Sequence, residues 1–136
     1  MRQEYANHLT SIYRERSVQH PENGECYTFH ITTGITAWKD SECSGVVAVF
    51  VHRGAQCANL GTYQVEKMPA FSLVGLLYGH AQGLSNWLSA NTPAYLIQRA
   101  QYGLKHQAGP VVSVNSKGFH DGPLLHDQMG VYYEAN

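Results

Sequence analysis

The segment that most constrains the fold of this chain is the uninterrupted apolar run at residues 46–51, which lies within residues 42–54. Four of its six residues are valines, and β-branched side chains favour extended strands. A run that is apolar on both faces of the pleat is typical of a strand covered on both sides, and Gly45 and Gly54 bound this one. The sequence therefore predicts that this run is the central strand of a sheet.

The segments on either side of this run predict its neighbours in the sheet. In residues 25–33, aromatic and branched apolar side chains alternate with polar or small ones, which is the pattern of a half-buried strand. Residues 53–56, Arg-Gly-Ala-Gln, predict a hairpin turn into a third strand over residues 57–65. Together these segments predict an antiparallel β-meander.

Helices are predicted before and after the meander. Apolar residues spaced at i, i+4, i+7 and i+8 predict an amphipathic helix over residues 3–16. Pro69 can begin a second helix that extends to about residue 89. The pair Thr92 and Pro93, a capping residue followed by a first-turn proline, predicts a third helix over residues 93–106.

The remainder of the chain predicts mainly extended structure. Residues 111–114 are expected to form a short strand, residues 115–130 a loop, and residues 131–134 a final strand. A chain of 136 residues has room for one domain with its own core. The predicted fold is therefore a single α+β domain over residues 1–136. It has an antiparallel β-meander, an N-terminal helix, two central helices packed on the sheet, and closing C-terminal strands.

A glycine stripe marks the second predicted helix. Gly75, Gly79 and Gly83 recur at every fourth position and fall on one side of the helix. Each interior glycine costs about 1 kcal/mol relative to alanine, so three in register indicate that the stripe permits a close approach. The approach is either to the sheet or a neighbouring helix of the same subunit, which is the more ordinary arrangement, or to the same helix of a second copy.

The composition favours a protein whose surface is partly covered by a partner. Charged residues make up 14% of the chain, below the roughly 25% that is usual for a soluble domain. We therefore expect a homo-oligomer, with a small molecule or another protein as a further possible partner. The formal net charge is -1 and the nine basic residues are scattered, which disfavours binding to nucleic acid.

The sequence also bears on the expected location. No segment approaches the roughly 20 apolar residues of a membrane span, and the first residues lack the apolar core of a secretory signal. Three cysteines cannot complete an intramolecular disulfide set. No membrane association and a cytoplasmic location are therefore expected.

Cys43 is the candidate nucleophile because it stands at the start of the core strand and is followed by a serine. A thiolate nucleophile needs a base within hydrogen-bond reach. His52 is nine residues away, which corresponds to about 30 Å in a strand, so it cannot serve Cys43. The remaining candidates for the base are His30, on the neighbouring strand, and the more distant His80, His106, His120 and His126; of these, His30 and His120 are the proposed partners of Cys43.

Residues 119–127 offer a candidate metal site. They contain two His-Asp pairs, and imidazole and carboxylate groups suit zinc or acid–base chemistry. The candidate ligands are His120, Asp121 and His126. The sequence indicates no third histidine or cysteine ligand and identifies no cofactor.

Aromatic residues supply the candidate binding surface. The chain has nine tyrosines and two tryptophans, and these side chains combine a large apolar body with a polar group. The candidates for ligand or partner binding are Trp38, Tyr63, Tyr78 and Trp87. The predicted function is a non-catalytic small binding or interaction protein that forms a homo-oligomer through an aromatic-rich pocket or surface. The alternatives are a cysteine-dependent hydrolase or amidotransferring enzyme that uses Cys43, and a metal-binding protein that uses the loop at residues 120–127.

Overall fold

The chain forms a five-stranded sheet with three helices in a computed structural model, which describes residues 14–39, 41–107, 109–115, 117 and 124–134. The elements in chain order are β1 (Arg14–Gln19), β2 (Cys26–Lys39), β3 (Glu42–Arg53), β4 (Gln56–Pro69), α1 (Ala70–Ala90), α2 (Pro93–His106), β5 (Val111–Val114) and α3 (Leu125–Glu134). The described residues make one α+β domain in which four strands precede the first of these helices.

The sheet has the strand order β1-β2-β3-β4-β5, so β3 is its central strand, as predicted. The antiparallel pairing of β2, β3 and β4 confirms the three-stranded meander that the sequence predicts, and β1 adds a fourth antiparallel strand that it does not predict. β5 instead runs parallel to β4. Gly54, in the turn between β3 and β4, has a φ of 60°. Glycine adopts this left-handed conformation without steric cost, which is why the predicted hairpin closes here.

The three helices pack on one face of the sheet, which we call the covered face. Val47, Val49 and Val51 of β3 point to this face and are fully buried. A Cβ atom added to Gly45 on the same face would lie 2.8 Å from Cδ1 of Leu77. α1 therefore lies directly on the central strand.

The opposite face, which we call the open face, carries no helix of the described part of the chain. The alternate residues of the central strand point to it, and of these Val46 and Phe50 are only half-buried, whereas the small Ala48 between them is buried. The prediction of a core strand covered on both sides therefore holds for one side only among the described residues. The apolar run is continuous because the open face is itself partly apolar.

α2 and the loop after it fit closely against β4. The side chain of Leu60 occupies the space that a Cβ atom at position 103 would need, so Gly103 allows α2 to approach β4 closely. Arg99 is buried in the same region, and its guanidinium donates a hydrogen bond to the carbonyl oxygen of Leu60 at 3.2 Å. At the start of the helix, the side chain of Thr92 accepts a hydrogen bond from the backbone N–H of Tyr95. The predicted N-cap of this helix is thus confirmed.

The predicted N-terminal helix is wrong where the structure describes it. Residues 14–16 belong to strand β1, and the rest of the predicted helix lies outside the described residues. β1 pairs along the full length of its six residues with β2. The guanidinium of Arg16 donates hydrogen bonds to the carbonyl oxygens of Leu88 at 2.6 Å and Asn91 at 2.8 Å. Arg16 therefore stands at a covered-face position where an apolar residue would be expected. β1 for this reason lacks the apolar alternation that would have identified it as a strand.

The predicted closing strand is also wrong, because residues 125–134 form helix α3 instead of the end of a loop and a strand. Leu125 and Met129 are one helical turn apart and both are fully buried. A Cβ atom at Gly61 would lie 2.9 Å from Cδ1 of Leu125, so α3 packs closely on β4. Contacts with the sheet outweigh the local preference of Val131, Tyr132 and Tyr133 for a strand.

Candidate functional site

The outer face of α1 is the side of the helix that points away from the sheet. Seven residues of the opposite side are buried, namely Leu73, Val74, Leu77, Ala81, Leu84, Ser85 and Leu88. At 100° per residue, the three glycines of the stripe project about 180° from this buried side. Phe71 and Tyr78 lie between the glycine stripe and the buried side of the helix. A Cβ atom added at Gly75, Gly79 or Gly83 would meet no atom within 4 Å. Among the residues that the structure describes, the glycine stripe therefore has no closely packed neighbour.

The outer face of α1 also carries no charge. The sequence contains no Asp, Glu, Lys or Arg between Lys67 and Arg99. The solvent side of a surface helix is ordinarily charged or strongly polar. Here the outer face includes Phe71, which is 82% exposed, and Tyr78, which is 38% exposed. Its polar groups partly satisfy each other, because Gln82 donates a hydrogen bond to Asn86 at 3.1 Å.

The four aromatic residues predicted to bind a ligand or partner do not line one pocket. Tyr63 is buried, stacks on His80 with ring centroids 3.9 Å apart, and accepts a hydrogen bond from the backbone N–H of Leu125 at 2.8 Å. Trp38 and Trp87 are half-buried against the core. Tyr78 is the one of the four with a substantially exposed side chain.

A cleft of about 510 Å³ lies at the β2–β3 end of the sheet. Its lining residues are Ala37, Lys39, Ser41, Glu42, Ser44 and Lys67. None of these side chains is aromatic, so this cleft is not the predicted aromatic pocket.

The structure does not bring Cys43 and His30 together. Cys43 is 2% exposed and points to the covered face, whereas His30 points to the open face. They are also far apart along the sheet, because Cys43 pairs with Trp38 and His30 pairs with Phe50. The third candidate, His120, lies outside the described residues.

The candidate metal ligands His120 and Asp121 also lie outside the described residues. His126 lies on α3, with its Nε2 atom 3.5 Å from Oδ1 of Asp127. Among the residues that the structure describes, no three His, Cys, Asp or Glu side chains are grouped so that they could hold a metal ion.

A different group of side chains meets on the open face at the β3–β4 hairpin. The Nε2 atom of His52 lies 3.3 Å from Nε2 of His30 and 3.7 Å from Sγ of Cys57. We call these three residues the His-Cys cluster. Sequence reasoning missed it, although the signal was present. A two-residue turn at 54–55 pairs residue 53 with residue 56, and therefore His52 with Cys57.

The electrostatics of the cluster favour a neutral His30. Partial burial lowers the pKa of His30 from its ordinary value of 6.5, and the neighbouring charge of His52 lowers it further. The carboxylate of Glu15, which pairs with His30 from β1, acts in the opposite direction. His30 is thus suited to accept a hydrogen bond at neutral pH.

Comparison of the chain with protein-family models, with curated proteins and with solved structures found no match. Within the described residues, no helix is both long enough and apolar enough to cross a bilayer.

Proposed function

We propose that this protein is a non-catalytic interaction protein that forms a homodimer through the outer face of α1. The observation that carries the proposal is the glycine stripe, which faces open space on a helix without a single charged residue. Three interior glycines reduce helix stability by roughly 1 kcal/mol each. A second helix lying on the stripe gives these glycines a structural role that no described part of the subunit supplies.

A second copy of the chain suits this face because an uncharged surface can meet itself without like-charge repulsion. In a twofold dimer the same patch is used by both subunits, so each group must tolerate its own copy. Glycines allow two helix backbones to approach closely, and small side chains at such contacts favour packing. Phe71 and Tyr78 both lie along one edge of the stripe and can cover that edge with apolar area.

The dimer is expected to be weak and dependent on concentration. The 21 residues of α1 extend over about 31 Å, and one helix face of this length covers less than the roughly 800 Å² per partner of a standard interface. The low fraction of charged residues in the whole chain is consistent with further neutral surface next to α1.

The test places a charge in the stripe. In Gly79→Glu, two carboxylates would face each other across the dimer axis, so we expect the variant to remain monomeric at concentrations where the wild type dimerises. The monomer should tolerate the change because no atom lies within 4 Å of the new Cβ and glutamate is a better helix former than glycine. Size-exclusion chromatography with light scattering measures the result.

Ala94→Glu is the matched control. It adds the same negative charge at an exposed position on α2, and we expect it to dimerise like the wild type. The proposal is overturned if Gly79→Glu dimerises as strongly as the wild type. It is equally overturned if Ala94→Glu and Gly79→Glu weaken association to the same extent, because the effect would then be one of net charge.

A further inference from the structure

The His-Cys cluster places an exposed thiol beside an imidazole. Cys57 is exposed at the start of β4, and its Sγ atom lies 3.7 Å from Nε2 of His52. The contact follows from the pairing of the two residues across the hairpin. A thiol becomes nucleophilic when a neighbouring group accepts its proton, and an imidazole is the commonest such group in proteins.

His30 gives His52 a second contact at the same nitrogen. The two rings stack with centroids 4.6 Å apart, and their Nε2 atoms are 3.3 Å apart. A neutral imidazole nitrogen carries either one hydrogen or one lone pair. When Nε2 of His52 takes the proton of Cys57, it becomes a donor that the thiolate or the lone pair of His30 can accept. The one N–H at this nitrogen then lies within reach of both acceptors.

We propose that Cys57 is a reactive thiol with His52 as its proton acceptor, and that it exchanges with low-molecular-weight disulfides to form a mixed disulfide. The thiolate of Cys57 attacks one sulfur of the disulfide. The sulfur–sulfur bond of the disulfide breaks as the new bond to Sγ forms, and the leaving thiolate takes the proton that His52 holds. One disulfide and one protein thiol thus give one mixed disulfide and one free small thiol.

The position of the cluster suits this reaction better than one that requires a binding pocket. Attack on a disulfide requires a thiolate and access, and Cys57 lies on an open strand surface. No second cysteine is placed to displace the small thiol. Cys43 is buried on the covered face. Cys57 is level with Thr28 of β2 across His52, and Cys26 lies two residues further along β2, which puts the Cα atoms of Cys26 and Cys57 roughly 12 Å apart, beyond the roughly 7 Å that a disulfide spans.

The test uses oxidised glutathione as the probe and Cys26 as an internal control. Cys26 is exposed and lies on the same face, so both thiols meet the same solution in one molecule. Peptide mapping by mass spectrometry after timed quenching gives the two rates. At neutral pH we expect Cys57 to react about tenfold faster than Cys26.

Variants separate the roles of the two histidines. His52→Gln removes the proton acceptor and should bring the rate at Cys57 down to that of Cys26. His30 is a positioning residue, so His30→Gln should shift the pH profile of the Cys57 rate and leave the rate at Cys26 unchanged. The titratable groups on the open face around the cluster are Glu15 of β1 and Cys26 of β2, and neither is altered in these variants.

Two results would overturn the proposal. One is an equal rate at Cys57 and Cys26 in the wild type. The other is an unchanged rate at Cys57 in a His52→Gln protein whose circular dichroism spectrum and melting curve match those of the wild type. Failure of this test leaves the dimer proposal unaffected, because the cluster and the outer face of α1 lie on opposite sides of the sheet.

Discussion

Gly109 and Gly79 have opposite surroundings, and this difference predicts opposite effects of the same substitution. A Cβ atom at Gly109 would lie 2.5 Å from the carbonyl carbon of Leu60 and 2.7 Å from the carbonyl oxygen of Asn59. These are backbone atoms of β4, which cannot move aside without disturbing the sheet. Gly109→Ala should therefore lower the free energy of unfolding by about 1–3 kcal/mol.

Gly79→Ala serves as the matched comparison at low protein concentration. Its Cβ atom would meet no other atom, and alanine is the better helix former, so the monomer should be stabilised by about 1 kcal/mol. Urea denaturation of both variants measures the two effects. A stabilised Gly109→Ala protein would contradict the close contact between the loop after α2 and strand β4.

His30 should make stability depend on pH in the weakly acidic range. Its pKa in the folded protein lies below the ordinary value of 6.5 because partial burial and His52 disfavour its charged form. Below about pH 6.5 the unfolded chain therefore binds a proton more readily than the folded chain. The contribution of His30 to the free energy of unfolding is therefore fully present above about pH 6.5, and it is lost as the pH falls through the pKa that His30 has in the folded protein.

The variant His30→Gln tests this dependence. Urea midpoints measured from about pH 7 to about pH 5 should fall less steeply for His30→Gln than for the wild type. His106→Gln, at an exposed position on α2, is the matched control. A wild-type slope that is unchanged in His30→Gln would contradict the described environment of His30.

At the scale of elements, the attachment of α3 depends on one buried hydroxyl group. The backbone N–H of Leu125, at the N-terminus of α3, donates a hydrogen bond to the Tyr63 hydroxyl group at 2.8 Å. Tyr63→Phe removes the acceptor and leaves a buried N–H without this bond, so we expect a loss of about 1–3 kcal/mol in the free energy of unfolding. A Tyr63→Phe protein as stable as the wild type in urea denaturation would contradict this role of the hydroxyl group.

Stability should also fall at alkaline pH because of Tyr63. Burial raises the pKa of Tyr63, and its hydrogen bond with the Leu125 N–H opposes this shift. The folded state therefore favours the neutral phenol, and this contribution is present below the ordinary pKa of about 10 and lost as the pH rises through the folded pKa. Tyr63→Phe should flatten the alkaline part of the stability curve, whereas an unchanged curve would contradict the burial of the hydroxyl group.

The elements that the sequence predicted are those with strong local patterns. The valine run identified β3, and Thr92 and Pro93 identified the start of α2, because a capping residue and a fixed φ act locally. β1 and α3 were missed because each depends on distant contacts. The guanidinium of Arg16 donates a hydrogen bond to a backbone carbonyl near the end of α1, and the backbone N–H of Leu125 donates one to the hydroxyl group of Tyr63 on β4.

The candidate sites were also predictable only as far as they depend on local sequence. The glycine stripe was visible in the sequence, but its direction was not, because the side of α1 that it occupies is set by the packing of the apolar side on the sheet. The His-Cys cluster required the strand register on both sides of β3 to be known. His30 reaches the cluster from β2 and Cys57 from β4, so no single segment contains the site.

At the scale of the whole molecule, the helices cover one face of the sheet and leave two surfaces with separate predicted roles. The outer face of α1 is neutral and lined with glycines. The open face carries the His-Cys cluster on the other side of the sheet. Association of two copies through α1 would leave the cluster accessible, so dimerisation and thiol exchange should be independent of each other.

Sedimentation equilibrium of the wild-type protein measures whether two copies of the chain associate. The chain has a mass of 15.1 kDa. The proposed dimer predicts that the apparent mass rises from this value towards twice this value as the concentration is raised from the low micromolar to the high micromolar range. An apparent mass that stays at 15.1 kDa over the whole range would contradict the proposal that the outer face of α1 pairs with a second copy.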